Sequence, residues 1–444
     1  MVFDLGFGDS GKGTITDFLV RERGAGLVVR FNGGAQAGHN VVTPAGHHHT
    51  FSQFGAGTFV PGVLSHLGPA FVLHPGAMLV EAKKLESVGV ADTFERTTID
   101  GRALVVTPHQ QAAGRLREVL RGDARHGTCG AGIGEAVSDS LAGHSDTVHA
   151  ADIRNPSLLR ETLASQRIRK RTEIGQHAAF AADPRAAPEL AILDDGASGE
   201  RVLFQWAPLF EKLRVVDSTE AQRILGAQRS IVFEGAQGML LDETWGFHPH
   251  TTWSDCTPAG ALAILDEAGF DGRVTRLGVI RAYSTRHGEG PFPTGSAEHA
   301  AAHRDPNNNA EGWQGEFRTG PLDLVLLRYA AEAAAGVDGV AVTCLDQVGK
   351  ETDACVAYSV RGEPPEPAFA ERDAGGMVRR LVPGPREDLS HRERLGTLLR
   401  RADPVLARFS REDLLKEVSK ATGAPVLLES LGPNAGDKRW LRKL

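Results

Sequence analysis

The chain opens on a short apolar run, Val2-Phe3-Asp4-Leu5, followed at once by Gly6-Phe7-Gly8-Asp9-Ser10-Gly11-Lys12-Gly13. A strand that runs into a glycine-rich turn and then a helix presents backbone N–H groups to an anion, which places this segment at the ligand edge of an α/β sheet. The turn fits G-x-x-x-x-G-K, the start of a P-loop, and also G-x-G-x-x-G, the dinucleotide fingerprint. Lys12 favours the P-loop, because a lysine neutralises terminal phosphates and a dinucleotide site does not need one. A dinucleotide site also wants an acidic residue at the end of the next strand to hold ribose hydroxyls. The next strand-like run, Gly26-Leu27-Val28-Val29-Arg30-Phe31, ends in basic and polar residues instead. One departure stands out: Gly13 follows Lys12 where a P-loop puts Ser or Thr to hold magnesium, and Asp9 inside the loop is the candidate to take the metal. Gly8, Ser10, Gly11, Lys12 and Gly13 are thus the candidate phosphate cradle.

Further strand-like runs at residues 70–73, 230–233, 275–280 and 339–343 alternate with helical patterns. The alternation predicts an α/β fold with a large, mostly parallel central sheet flanked by helices, whose ligands bind in the loops after the strands. The 444 residues are read as a single domain over 1–444, with residues 181–200 and 361–390, rich in Pro, Ala, Gly and charge, as long surface insertions. There is no internal repeat.

Composition narrows the function. The formal net charge of −7 argues against broad nucleic-acid binding, which needs clustered Lys and Arg, so the basic run Arg167 to Arg171 reads as solvated surface. Cys129, Cys256, Cys344 and Cys355 form no C-x-x-C pair and read as free thiols in a reducing compartment. No segment resembles a signal peptide or membrane span, so a cytoplasmic enzyme acting on small molecules, with no membrane or nucleic-acid partner, is expected. His47, His48 and His49 are adjacent in a polar stretch and point in different directions, which does not favour a metal site.

Three more loops carry chemistry-bearing residues: Arg30 to Asn40, with Gly33-Gly34-Ala35-Gln36-Ala37-Gly38-His39; Phe233-Glu234-Gly235-Ala236-Gln237-Gly238 and on to Asp242; and Arg281 to Thr294. With the first turn, these resemble the adenylosuccinate synthetase family, whose motifs read GDEGKG, GGxNAGHT, FEGAQGxxLD and AYSTRVGxGPFPT. The resemblance implies a homodimer with a P-loop-like GTP-binding fold, GTP as co-substrate and Mg2+ as cofactor. The implied reaction has two steps: GTP phosphorylates the 6-oxygen of IMP, and the amino group of aspartate displaces the phosphate. It implies that Asp9 takes the N1 proton and binds metal with the Gly38 carbonyl, that His39 bonds the moving phosphoryl group, and that Gln237 holds the 6-oxygen. Thr252 then belongs to the nucleotide pocket. The family's T-K-L-D guanine segment is Thr343-Cys344-Leu345-Asp346, and its S-T-G-P loop is Ser430-Leu431-Gly432-Pro433. Asp346, Ser430 and Gly432 are thereby implied to bind guanine, with Cys344 in the place of the lysine that packs over the base.

The departures concentrate on the substrate side. The family's G-T-T-G-R-G-I-G-P phosphate loop is Gly127-Thr128-Cys129-Gly130-Ala131-Gly132-Ile133-Gly134-Glu135, where Thr128 and Cys129 remain as candidate nucleotide contacts beside Gln36. The arginine that the neighbouring subunit supplies in the family falls in Ser140 to His144, which has none. The amine-substrate loop T-T-G-R-R-R-R-T-G-W-L-D aligns with Gly312-Trp313-Gln314-Gly315-Glu316-Phe317-Arg318-Thr319-Gly320-Pro321-Leu322-Asp323, so Trp313, Arg318 and Thr319 are its candidate contacts. Replacing a bidentate arginine clamp with Gly and Glu removes charge-assisted hydrogen bonds of about 1.5–3 kcal/mol each. The carbonyl-activating groups survive while those recognising amine and phosphate do not. The pattern favours a GTP-dependent ligase with ordinary substrates or altered ones, such as a purine-like ring in nucleoside natural-product metabolism, over a non-catalytic GTP-binding regulator. An NAD-dependent oxidoreductase is the third and weakest reading.

Overall fold

The computed structural model describes residues 1–303, 305, 308 and 312–442. Its centre is a ten-stranded sheet in which Val2–Asp4 lies between Ile231–Glu234 and Leu277–Arg281. Outward on one side follow Leu27–Arg30, Leu64–Leu67, Thr97–Asp100 and Arg214–Val216; on the other follow Gly339–Thr343, Val426–Ser430 and Lys438–Trp440. Every pairing is parallel except the last, Val426–Ser430 with Lys438–Trp440. Strands covered on both faces read as continuous apolar runs, and Leu27–Arg30, Leu277–Arg281 and Gly339–Thr343 are buried throughout.

Helix Lys12–Arg23 covers one face, where Ile15, Phe18 and Leu19 pack on Val2, Val28 and Val279. On the other face Ile224, Leu225, Ala261, Ile264 and Leu265 close over Leu27, Val29 and Phe31. The three central strands run parallel and end in steps of two residues, Glu234 level with Val2 and Asp4 level with Val279, so the loops after Asp4, Glu234 and Arg281 all leave the same carboxyl edge, where open α/β sheets bind ligands. A second sheet joins Tyr283–His287, Phe317–Asp323, Glu351–Val360, Val378–Leu381 and Ala370–Arg372, with Ala402–Ser410 also pairing to Glu351–Val360. It carries the substrate-side loop, since Tyr283–His287 runs antiparallel to Phe317–Asp323 with Arg286 opposite Arg318.

Three expectations change. The run at 70–73 forms strand Phe71–Leu73 in a small separate sheet with Gly33–Gly34 and Leu104–Val105. Residues 181–200 are helical rather than loop, within Ala179–Ala182, Ala186–Asp194 and Ser198–Lys212, because their alanines favour helix and Phe180, Leu193 and Val202 find core contacts. The stretch 361–390 contains a hairpin, Ala370–Arg372 with Val378–Leu381, whose turn passes through Gly375 and Gly376 and is tied by Asp373. In the hairpin His39–Val42 with His48–Phe51, His48 is exposed and His49 buried, on opposite faces as strand neighbours must be. Among the described residues no helix is long and apolar enough to cross a membrane.

Candidate active site

The first turn is held from below. Asp4, the last residue of its strand, accepts hydrogen bonds from Gly6 N (2.7 Å), Ser10 N (3.0 Å) and Lys12 Nζ (3.0 Å). Lys12 Nζ also donates to the Gln237 carbonyl at 2.6 Å, and both members of the ion pair are buried. An ammonium has three donors, so one is left for a phosphate. Gly8, Asp9 and Gly11 adopt φ of 88°, 59° and 87°, and helix Lys12–Arg23 starts without a side-chain cap, leaving its first N–H groups to an anion. A non-glycine residue in this region stores strain, which fits Asp9 being kept there for its carboxylate. The missing P-loop hydroxyl also has a cause. A Cβ on Gly13 would lie 2.8 Å from His39 Cβ and 2.9 Å from the His39 carbonyl carbon, so Ser or Thr would drive the His39 strand away.

Around this turn stands a group of buried polar atoms without hydrogen-bond partners: Nε2 of His39 and both side-chain heteroatoms of Gln36 and Gln237. Native interiors leave few such atoms, and these converge, since the space above Gly33 meets the Gln237 amide and that above Gly34 meets Gln36 Oε1. Gln237 is held at φ 53°, a second strained non-glycine residue. His39 Nδ1 lies 2.7 Å from Glu234 Oε1, and Glu234 Oε2 accepts from Ala56 N at 3.0 Å. Burial pushes the His39 pKa down to about 4, against the attraction of Glu234. Glu234 stays low, because His39, Arg30 and the Ala56 N–H outweigh the burial that would raise it. A neutral imidazole beside a carboxylate keeps its proton on Nδ1, which leaves Nε2 as the open atom.

Asp9 is raised by burial and pulled back by Arg281 and Lys12. Arg281 donates from Nε to the Asp9 main-chain oxygen, from Nη1 to Tyr283 Oη (3.0 Å) and from Nη2 to Asp305 (3.0 Å). No side chain among the described residues hydrogen-bonds the Asp9 carboxylate. That carboxylate and the exposed Gly38 carbonyl are hard oxygen donors of the kind Mg2+ takes, so the residues fit the metal. Asp139, His144 and Glu173 also bring potential ligand atoms within 4.8 Å of one another, but Arg169 and Lys170 already neutralise the two carboxylates.

The two candidate guanine segments come together beside the turn. Thr343 Oγ1 donates to Ser10 O at 2.7 Å, Leu345 N to Ser430 O at 3.2 Å, and Thr14 Oγ1 to Pro433 O at 2.7 Å. Ser430 Oγ donates to Gly432 O, and Asp346 is exposed. Cys344 sits at φ 57°. Lys438 Nζ donates to the Gly432 and Asn434 carbonyls, and burial brings its pKa down to about 8.

On the substrate side the structure distributes the candidates differently. Glu118 accepts from Gly127 N (3.0 Å) and Thr128 N (3.4 Å), so these two N–H groups are already engaged. Thr128 is exposed, and burial raises the thiol pKa of half-buried Cys129. Glu135 is neutralised by Arg117 (2.8 Å) and Lys170 (2.7 Å). Thr252 donates its N–H to Leu241 O at 2.7 Å, and its neighbour Trp253 packs against Gly134. Trp313 packs under Arg115 and Arg185, 5.8 and 4.9 Å from its ring. Arg318 turns to the Gly288 and Gly290 carbonyls, and Thr319 Oγ1 meets His299 Nδ1 at 2.9 Å. Arg318 therefore braces the turn at 288–290, and Thr319 ties its strand to helix Ala297–Ala302. Asp4, Glu234 and Arg281, which shape the site, lie outside the sequence-derived set. The one local signal was Asp4, a carboxylate inside an apolar strand just before the glycines.

Comparison with known proteins gives one family. The adenylosuccinate synthetase family pattern matches residues 1–437. The adenylosuccinate synthetase of Neisseria meningitidis serogroup C is 31% identical over 452 aligned positions, covering 98% of this chain and 96% of that protein. That of Mycolicibacterium vanbaalenii is 32% identical over 363 positions, covering 80% and 79%. Among solved structures, fully ligated adenylosuccinate synthetase from Plasmodium falciparum superposes with a TM-score of 0.77 at 20% identity over 98% of both chains. Cyanophage S-2L succinoaminodeoxyadenylate synthetase, bound to dGMP and to dATP as an energy donor, gives 0.59 at 17% identity over 99% and 94%. At such identities these two likenesses speak for the fold.

Proposed function

The chain belongs to the adenylosuccinate synthetase family of GTP-dependent, carbon–nitrogen bond-forming ligases, and we propose that it activates the 6-oxygen of IMP or a purine-like analogue for displacement by an amine. A ring carbonyl is a poor electrophile, and phosphorylation converts its oxygen into a leaving group. In this reading Asp9 removes the N1 proton, the Gln237 amide donates to the developing 6-oxyanion, and Lys12 with the helix N-terminus holds the nucleotide phosphates. His39, held through Nδ1 by Glu234, donates from Nε2 to the moving phosphoryl group once the ring takes a second proton, which Glu234 and the incoming phosphate anion both favour. Asp9 and the Gly38 carbonyl would hold Mg2+, which when bound would supply charge shielding for the phosphates. The ring oxygen then leaves with the phosphoryl group as inorganic phosphate when the amine nitrogen bonds to C6. Asp346, Ser430 and Gly432 bind guanine. A cytoplasmic homodimer is the family's arrangement and is proposed here on that ground.

The observation that carries this reading is the set of buried, unpartnered atoms on Gln36, His39 and Gln237 beside a turn that also holds Lys12. Buried polar atoms without a protein partner call for a polar ligand or solvent to satisfy them. A second reading, the same activation on a different ring and amine, is favoured by Gly315 and Glu316 in the clamp and by Arg318 being committed to carbonyls. The test is to supply GTP and Mg2+, scan purine nucleotides and nucleosides against aspartate, other amino acids and ammonia, and measure GDP with product mass. GDP formed only when ring and amine are both present supports the ligase. GTP binding without GDP in any combination refutes it in favour of a regulator.

A further inference from the structure

Between the phosphate-side and amine-side loops lies a cleft of about 360 Å3 whose lining includes Glu118, Asp123, Arg125, Arg185, Glu289 and Trp313. Its two guanidinium groups differ. Arg185 is tied to Asp183 by two N–H groups, at 3.0 and 2.6 Å, and lies over Trp313. Among the described residues the Arg125 guanidinium makes one ion pair, Nη2 to Glu289 Oε1 at 3.2 Å, between side chains that are 40% and 47% exposed. An exposed pair of this kind is weak, and a guanidinium has donors to spare for a second carboxylate. The position of Arg125 is informative. A Cβ on Gly315, where the family places a clamp arginine, would have a single neighbour within 4 Å, Arg125 Nη2 at 3.9 Å. The Gly315 carbonyl in turn lies 3.1 Å from His287 Nε2, on the strand that follows Arg281.

Resting on the ligase reading above, we infer that Arg125 holds the carboxylate of the amine donor, approaching from the phosphate-loop side the space vacated at Gly315, and that the donor carries one carboxylate rather than two. The guanidinium charge absent from positions 315–317 is supplied by residue 125. One available guanidinium matches one carboxylate in a bidentate pair. A second carboxylate would meet the lining carboxylates Glu118, Asp123, Asp183 and Glu289, which repel it. The donor class is therefore an amino acid with a single carboxylate.

The test titrates glycine, L-alanine, L-glutamine, L-aspartate and methylamine into protein loaded with Mg2+, IMP and a non-hydrolysable GTP analogue, and follows GDP in parallel with GTP itself. A monocarboxylate amino acid is expected to bind at least tenfold more tightly than methylamine or L-aspartate. Arg125→Ala should weaken it at least tenfold with the KM for GTP within twofold, and Arg125→Lys should restore part of the loss. Equal binding by Arg125→Ala, methylamine equal to the best amino acid, L-aspartate as the tightest ligand, or binding by none overturns the inference. GDP formation insensitive to Arg125→Ala overturns it while leaving the ligase reading intact. Arg125-dependent binding with no GDP does the reverse.

Discussion

Lys12 and Asp4 form a dry ion pair directly beneath the phosphate turn, with Nζ 3.0 Å from Oδ2 and neither side chain more than 4% exposed. The same carboxylate also receives two N–H groups of the turn, so Asp4 sets both the shape of the loop and the aim of its cation. Breaking a buried pair from one side strands a charge. Asp4→Ala should lower the unfolding free energy by about 3–5 kcal/mol, with GTP restoring part of the loss as its phosphates replace the missing anion. Urea unfolding with and without GTP checks this. Equal losses in both conditions would refute the coupling.

Among the described residues Gln36 and Gln237 find no side-chain hydrogen-bond partner, so truncating them removes none. Gln36→Ala and Gln237→Ala are expected to unfold at the same or higher urea concentration than the parent. Ring-dependent GDP formation should nevertheless fall about 100- to 1,000-fold in Gln237→Ala, the usual loss when an oxyanion donor is removed. Stability lost in step with activity would mean that Gln237 is a packing residue.

Two buried histidines outside the site predict acid sensitivity. Burial is the main cause lowering His66 and His109 to about 4, and they bond Thr98 and Ser198 as neutral rings. Unfolding restores a pKa near 6.5, so the unfolded chain takes up protons between these values. Stability is complete above about pH 6.5 and falls as the pH drops toward 4, by about 3 kcal/mol per histidine at the lower end. His66→Gln and His109→Gln should each flatten the curve of unfolding free energy against pH in that window. An unchanged slope would count against the assignment.

Asp346 is the group proposed to read the donor face of guanine. Removing the acceptor for two donors should reduce the preference for GTP over ATP by about 10- to 100-fold, since hydrogen bonds to a charged group contribute about 1.5–3 kcal/mol. The ratio of kcat/KM for GTP and ATP in Asp346→Ala measures it, and a ratio equal to that of the parent would place guanine recognition elsewhere.

Much of this architecture is legible in the chain because its signals are local. Strands buried on both faces must be apolar throughout, which marks Leu27–Arg30 and Gly339–Thr343, and a turn requiring positive φ must use glycine at positions such as Gly8 and Gly11. What escapes is nonlocal. His39 and Glu234 meet across 195 residues of sequence, and neither says beforehand that the other fixes its proton. Arg318 survives in the motif, yet the 288–290 turn claims its donors, so identity at a position does not settle orientation. The helices of residues 179–212 were hidden because Pro184, Pro188 and Gly196 suggest loop when read singly, while alanine content and core contacts decide the outcome.

The close approach of Gly13 to His39 bears on how nucleotide enters. With no side chain between them, the start of helix Lys12–Arg23 and the His39–Phe51 hairpin meet backbone to backbone, and a contact of that kind does not stretch. Loop and hairpin are therefore bound to travel as one rigid block. The wall that receives the phosphates is therefore set before a nucleotide arrives, and the guanine-side segments, tied to it through Thr343 to Ser10 and Thr14 to Pro433, share the same frame.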